Sequence, residues 1–157
     1  MATAAFEQIL DTLVAHLREN LADKLTLFDA GTIAEADIQP KARKLSANDA
    51  VFINYAGTEV EPPTTHRVDA TFPYVIEILR FDPDPDMAQR LCGRTEVAVR
   101  MLLRPPERFD LTGLSFKRIR FQPSRVAPGR TMDGRMGSFL QMPIRIEARI
   151  SSPTFYV

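Results

Sequence analysis

The sequence predicts a single α+β domain over residues 1–157, with one mixed or antiparallel sheet of about four strands and helices on one face. Three observations carry that expectation. An apolar stripe of helical period opens the chain, strict alternation of period two closes it, and an Asp/Pro-punctuated helical stretch lies between strand-like runs. The elements follow in the order α-β-β-α-β-β. At 157 residues the chain is long enough to bury roughly 70% of its unfolded surface, and 45% hydrophobic with 25% charged residues is an ordinary globular composition.

The first helix is expected from about Ala4 to Asn20, where Phe6, Ile9, Leu10, Leu13, Val14 and Leu17 recur at spacings of three and four. Leu21 to Phe28 continues it or forms a short second piece, and Asp29-Ala30-Gly31 is a stop signal. Residues 31–49, with Pro40 and the basic cluster Lys41, Arg43 and Lys44, read as irregular connection with some extended structure. Ala50 to Ala56 alternates as a strand. Gly57 to Arg67 has a Pro-Pro pair and no core pattern, and reads as an exposed arm. Val68 to Phe81 is the second strand; Tyr74 to Leu79 is apolar in both phases apart from Glu77, which suits a central strand covered on both sides.

Asp84 caps the second helix, Pro85 suits its first position and Asp86 complements the helix dipole. That helix runs to about Leu103, with Pro105-Pro106 ending it. A long hairpin follows. Leu114 and Phe116 lie in one phase, Ile119 and Phe121 in the other, which places a bulge near Lys117-Arg118. Leu140 to Ile150 alternates cleanly, and Pro143 argues that this strand lies at a sheet edge. Between the two strands, Pro123 to Gly137 reads as a second arm that reaches away from the domain.

Charge is the feature most informative about partners. Lys+Arg 20 balances Asp+Glu 20, so the chain is formally neutral and a poor general binder of polyanions. The balance is uneven along the chain: residues 104–149 hold ten basic residues against four acidic ones, a net of +6, and the rest carries −6. The segregation suggests self-complementarity between copies. Glu59, Glu61, His66 and Arg67 of the first arm, with Lys117, Arg118, Arg120, Arg125, Arg130 and Arg135 of the hairpin region, are therefore the candidate partner or oligomer contacts.

Chemistry is thinly supplied. A single cysteine, Cys92, falls on the apolar side of the second helix and permits no internal disulfide. His16 reads as a surface or packing residue and His66 as a loop contact; no HxxxH or CxxC pattern occurs. Neither GxSxG, a P-loop nor GxGxxG occurs, and helix capping accounts for Asp82, Asp84 and Asp86 better than a metal site does. Phe116 and Phe121 are explained as core rather than as stacking platforms for a nucleic acid. The expectation is a non-enzymatic protein without cofactor or metal, with no membrane span and no basic signal-peptide start, residing in the cytoplasm unless it leaves within a larger assembly.

The opening FEQILDTLVAHLREN helix, the YVIEILRFDPDPDMAQRLCGRTEVAVRMLL strand-Asp/Pro-helix unit and the closing hairpin together resemble the tail terminator, or tail completion, proteins of tailed bacteriophages. These include proteins of Mu-like prophages and phage-tail-like particles. The resemblance spans nearly the whole chain and rests on order and texture. It implies a small domain of mixed sheet and flanking helices, assembled as a ring of about six copies that caps the tail tube and stops its polymerisation. Its implied partners are the chain itself, the tail tube protein and a head-completion or neck protein. Its implied location is the neck end of the virion tail, after assembly in the host cytoplasm. No catalytic residues come with the family. A neck, tube or baseplate subunit is the related alternative, and a small nucleic-acid-binding protein a more distant one.

Overall fold

The computed structural model of the protein describes residues 3–40, 48–61, 67–104, 106–131, 133–151 and 155–157. Its elements in chain order are β1 (Thr3–Ala4), α1 (Ala5–Leu27), a 3-10 turn (Glu35–Asp37), β2 (Ile38–Gln39), β3 (Ala50–Tyr55), β4 (Glu59–Val60) and β5 (Val68–Phe81). They continue with α2 (Pro85–Leu102), a second 3-10 turn (Pro106–Phe109), β6 (Leu114–Phe121), β7 (Arg125–Arg130), β8 (Met136–Ile150) and β9 (Phe155–Tyr156). The result is one α+β domain with two helices and a mixed sheet.

α1 is one continuous helix rather than a helix and a second piece, because Leu21 and Leu25 extend the buried stripe of Ile9, Leu13 and Leu17. It ends in a Schellman motif: Asp29 takes the left-handed conformation (φ 50), its N–H reaches Thr26 O at 3.2 Å, and Ala30 N–H reaches Leu25 O at 2.8 Å. α2 begins as expected, with Asp84 Oδ1 accepting from the Asp86 N–H at 3.0 Å.

The main sheet has the order β2-β3-β5-β8-β6. β2 pairs with β3 in parallel and the other pairings are antiparallel. β4 extends the β3 side of β5, while β7 extends the β6 side of β8. β1 and β9 form a separate parallel pair. Both helices cover the face carrying Phe72, Tyr74, Ile76 and Ile78 of β5 and Met142, Ile144 and Ile146 of β8, all almost fully buried. The expected bulge is present: register shifts between Phe116 and Arg118, so Leu114, Phe116, Ile119 and Phe121 all lie on the helix side.

Five expectations change. Among the described residues the main sheet holds seven strands where about four are expected, and Glu59–Val60 of the first expected arm pair with β5 as β4. The strand at Val68–Phe81 is central but not covered on both faces; Thr71, Pro73, Val75, Glu77 and Leu79 are only half-buried on the side away from the helices. The strand carrying Pro143 is central, not an edge. Pro143 O accepts from the Gln122 N–H at 3.0 Å, so its ring faces the break between β6 and β7, where the neighbouring ladder is already interrupted. Finally, residues 123–137 do not reach away. β7 pairs with β8 from Arg125–Gln141 to Arg130–Met136, and the excursion shrinks to a tip closed by the Thr131 N–H to Arg135 O bond of 3.0 Å.

A buried ion pair ties the layers together. Arg80 is 1% exposed; its Nε donates to Asp49 Oδ2 at 3.0 Å and its Nη1 to Thr95 Oγ1 at 2.7 Å. Asp49 Oδ1 accepts from the Phe81 N–H at 2.9 Å. Asp49→Ala, which strands the guanidinium, is expected to cost about 3–5 kcal/mol of stability, read from the urea unfolding midpoint. Arg80→Met combined with Asp49→Ala removes both charges and should cost much less.

Candidate functional site

The face of the sheet away from the helices, together with its two edges, gathers most of the predicted contact residues. Alternation along β5, β8, β6 and β4 puts Asp69, Arg145, Glu147, Arg149, Arg118, Arg120 and Glu59 on that face. Arg149 grips Asp69 with Nε at 2.9 Å and Nη2 at 3.3 Å, and Lys117 Nζ lies 3.8 Å from the same carboxylate. Arg120 Nε pairs with Glu147 at 3.0 Å, and Arg145 pairs with Glu59. Residues far apart in sequence thus neutralise one another within one chain. Among the described residues, Arg118, Arg125 and Arg130 have no ion-pair partner.

The individual candidates fall out as follows. Glu59 lies on β4 and Glu61 just beyond it, both exposed. Arg67 is exposed and precedes β5. His66 lies outside the described residues, as do Lys41, Arg43 and Lys44. Lys117 is the residue left unpaired by the bulge, and Arg118 and Arg120 are exposed on β6. Arg125 and Arg130 bound the fully exposed strand β7. Arg135 lies over the Phe81 ring, 4.6 Å from its centroid, so it is laid against the sheet. Gly137 makes room there, because a Cβ at that position would stand 2.7 Å from Phe81 Cδ1.

An open groove of about 660 Å³ crosses the middle of the same face. Val75 and Pro143 floor it, and Asn54, Glu77, Gln122 and Arg125 stand around it. Gln141 Nε2 donates to Glu77 Oε1 at 3.4 Å beside it. The lining is amide-rich and shallow, and it brings no nucleophile next to a base.

The residues weighed for chemistry have structural partners. His16 Nε2 donates to Leu102 O at 2.9 Å, its ring edge meets Phe109 with centroids 4.8 Å apart, and Asn20 Nδ2 lies 3.2 Å from Nδ1. His16 is thus a packing residue that satisfies the end of α2. Cys92 is fully buried; its Sγ lies 3.4 Å from Ser138 O, and burial pushes its thiol up to about 12. Asp82 and Asp84 cap backbone amides, while Asp86 pairs with Arg90 at 2.9 Å. Among the described residues no group of three His, Cys, Asp or Glu could hold a metal ion. Phe116 is core, stacked on Phe109 at 5.4 Å, and Phe121 is roofed by Arg104 at 5.0 Å and Arg100 at 5.6 Å. No helix is long and apolar enough to cross a membrane among the described residues.

The architecture defines the class: a two-helix α+β domain with a half-open mixed sheet. No protein-family model matches the chain, and no curated protein sequence matches it.

Sequence reasoning missed Val60 and Val126. They are 54% and 42% exposed, on β4 and β7, neither of which has an outer strand partner among the described residues. A lone valine between charged or turn-forming residues gives no periodic signal; only the pairing reveals it as an edge residue.

Two outcomes follow. At pH 8 a thiol near 12 is about one part in ten thousand thiolate, so native Cys92 should resist a disulfide reagent such as DTNB and react stoichiometrically once unfolded. The hydrogen bond from Arg149 holds the Asp69 carboxyl below its ordinary range, with the Arg149 and Lys117 charges adding to it against a burial penalty. A depressed carboxyl stabilises the fold above its unfolded value of about 3.9, and that contribution is lost as pH falls through the folded value. Asp69→Asn should therefore lower the melting temperature at pH 7, and the difference from the native chain should shrink as pH drops below about 3.9.

Proposed function

We propose that this protein is a structural subunit of a bacteriophage-type tail, with no enzymatic role. About six copies close into a ring on the end of the finished tail tube, occupy the surface on which the next tube ring adds, and offer a head-completion or neck protein its joining surface. The ring acts at the neck end of the virion tail after assembly in the host cytoplasm. The domain is α+β, with two helices and a mixed sheet, and a small domain of mixed sheet and flanking helices is what the family resemblance implies.

One observation carries the reading. Among the described residues β4 and β7 lie on opposite edges of the sheet with no strand paired outside them, Glu61 standing beside the first and Arg125 and Arg130 on the second. Unlike patches on opposite sides of one subunit favour head-to-tail association, which closes into a ring when the rotation between copies allows. The ion pairs of Lys117, Arg145 and Arg149 with Asp69 and Glu59 support a protein partner over a nucleic acid, because they reduce the positive charge that the basic region offers to a phosphate backbone.

Two-dimensional class averages of the purified protein are expected to show rings, and adding it to polymerising tail tubes should fix their length. A strict monomer that leaves tube growth unchanged overturns the reading.

A further inference from the structure

We infer that copies of this chain join by continuing the sheet from one molecule to the next, β4 of one copy adding antiparallel to β7 of its neighbour. The inference rests on the ring reading for its biological setting and on the two edges for its geometry.

Among the described residues neither strand has a partner on its outer side: β4 pairs with β5 and β7 with β8. Both present large exposed valines on the helix side of the sheet, since Val60 lies opposite buried Ala70 and Val126 opposite buried Leu140. On the other side, Glu59 and Glu61 stand on one edge and Arg125 on the other.

Direction and register follow from the topology. β4 runs with β8, and β7 runs with β5, so two copies in the same orientation meet with these strands antiparallel. Placing Val60 opposite Val126 then places Glu61 opposite Arg125 and Glu59 opposite Ala127. One register satisfies both the apolar pair and the charge pair, and cross-strand pairs of these kinds each stabilise a sheet. It uses Arg125–Ala127 and stops before Pro128, which lacks the N–H that a longer ladder needs. Glu61 and Arg125 have no ion-pair partner among the described residues, so the contact requires no existing pair to break.

Cross-linking tests this directly in the full chain. Val60→Cys and Val126→Cys variants are prepared separately, Cys92 being buried and inert, and treated with a short bismaleimide alone and mixed. Cross-linked dimer in the mixture and in neither variant alone is expected. Cross-linking of Val126→Cys alone, or none while sedimentation shows the native chain self-associating, overturns the inference and leaves the ring reading standing. A native chain monomeric at all concentrations overturns both. Copies cross-linked as expected but without effect on tube length overturn the ring reading alone.

Charge exchange keeps the test independent of the cysteines. Glu61→Arg should weaken self-association about tenfold in sedimentation velocity, and adding Arg125→Glu to the same chain should restore it. Circular dichroism matching the native chain establishes that both variants fold. Unchanged association in Glu61→Arg, or failure of the exchange to restore it, overturns the register.

Discussion

Arg80 occupies a helix-facing position of β5, in line with Ile76 and Ile78, yet its side chain is almost completely withdrawn from water. A guanidinium there is tolerable only if its donors are matched, and the surrounding segments are arranged to do so. Asp49 approaches from the start of β3, Thr95 from the middle of α2, and the chain after α1 passes so close that a Cβ at Gly31 would stand 2.8 Å from Nη2. Thr95 Oγ1 accepts from Arg80 while donating to Leu91 O at 2.6 Å, which leaves its single hydrogen well placed. Apolar packing between a helix and a sheet is non-directional, so α2 could slide along β5 and β8 at modest cost; the directional bonds of Arg80 fix one position. Cys92, one turn before Thr95, fills the remaining space as a small apolar group with a weak donor toward Ser138 O.

From that fixed centre the two longest strands organise the edges. β5 and β8 pair over their shared length, and each carries one proline near the middle, Pro73 and Pro143. Neither disturbs the pairing between β5 and β8, because each points its missing donor outward. Pro73 O accepts from the Ala56 N–H at 2.9 Å, where β3 has ended and β4 has not begun; Pro143 faces the equivalent gap between β6 and β7. A proline that cannot donate to a neighbour thus coincides with the place where the neighbour breaks off. The sheet acquires two split edges, and the outer pieces, β4 and β7, are short and exposed. They lie at diagonal corners, since β4 pairs near Ala70 and β7 pairs near the opposite end of β8.

Much of this was legible in the residues. The helical stripe of α1, the Asp-Pro entry to α2 and the phase change at Lys117-Arg118 each follow from a local rule and reappear in the structure. The failures are equally physical. β7 is RVAPGR with every residue exposed, so no buried face imposes alternation, and a strand without a buried face looks like a loop. The first residues of β8 share the problem: Gly137 and Ser138 are buried in succession, which hides the strand until Leu140. Pro143 signals an edge only when the whole neighbouring strand is assumed continuous. Arg80 is invisible for another reason, because a charge in a core phase reads as the end of an apolar run until its partners are known.

Charge shows most clearly how linear reading and folded surface differ. Summed by segment, the chain is a strong dipole; folded, Arg145, Arg149 and Lys117 meet Glu59 and Asp69 from the opposite part of the sequence. Part of the cancellation inferred from composition therefore takes place within one copy. Among the described charges without an ion-pair partner, Glu61 stands near one split edge and Arg125 and Arg130 at the other. Exposed edges ordinarily invite indiscriminate pairing, and the β6 edge is guarded by its bulge, Lys117, Arg118 and Arg120. At β7 the guard is thinner, because Val126 is exposed between Arg125 and Ala127. An edge left apolar at one position and charged at the next rejects most strands and admits one with the opposite sign in the matching place. Selectivity of that kind requires only a few charges placed at the edge, and a formally neutral chain can supply them.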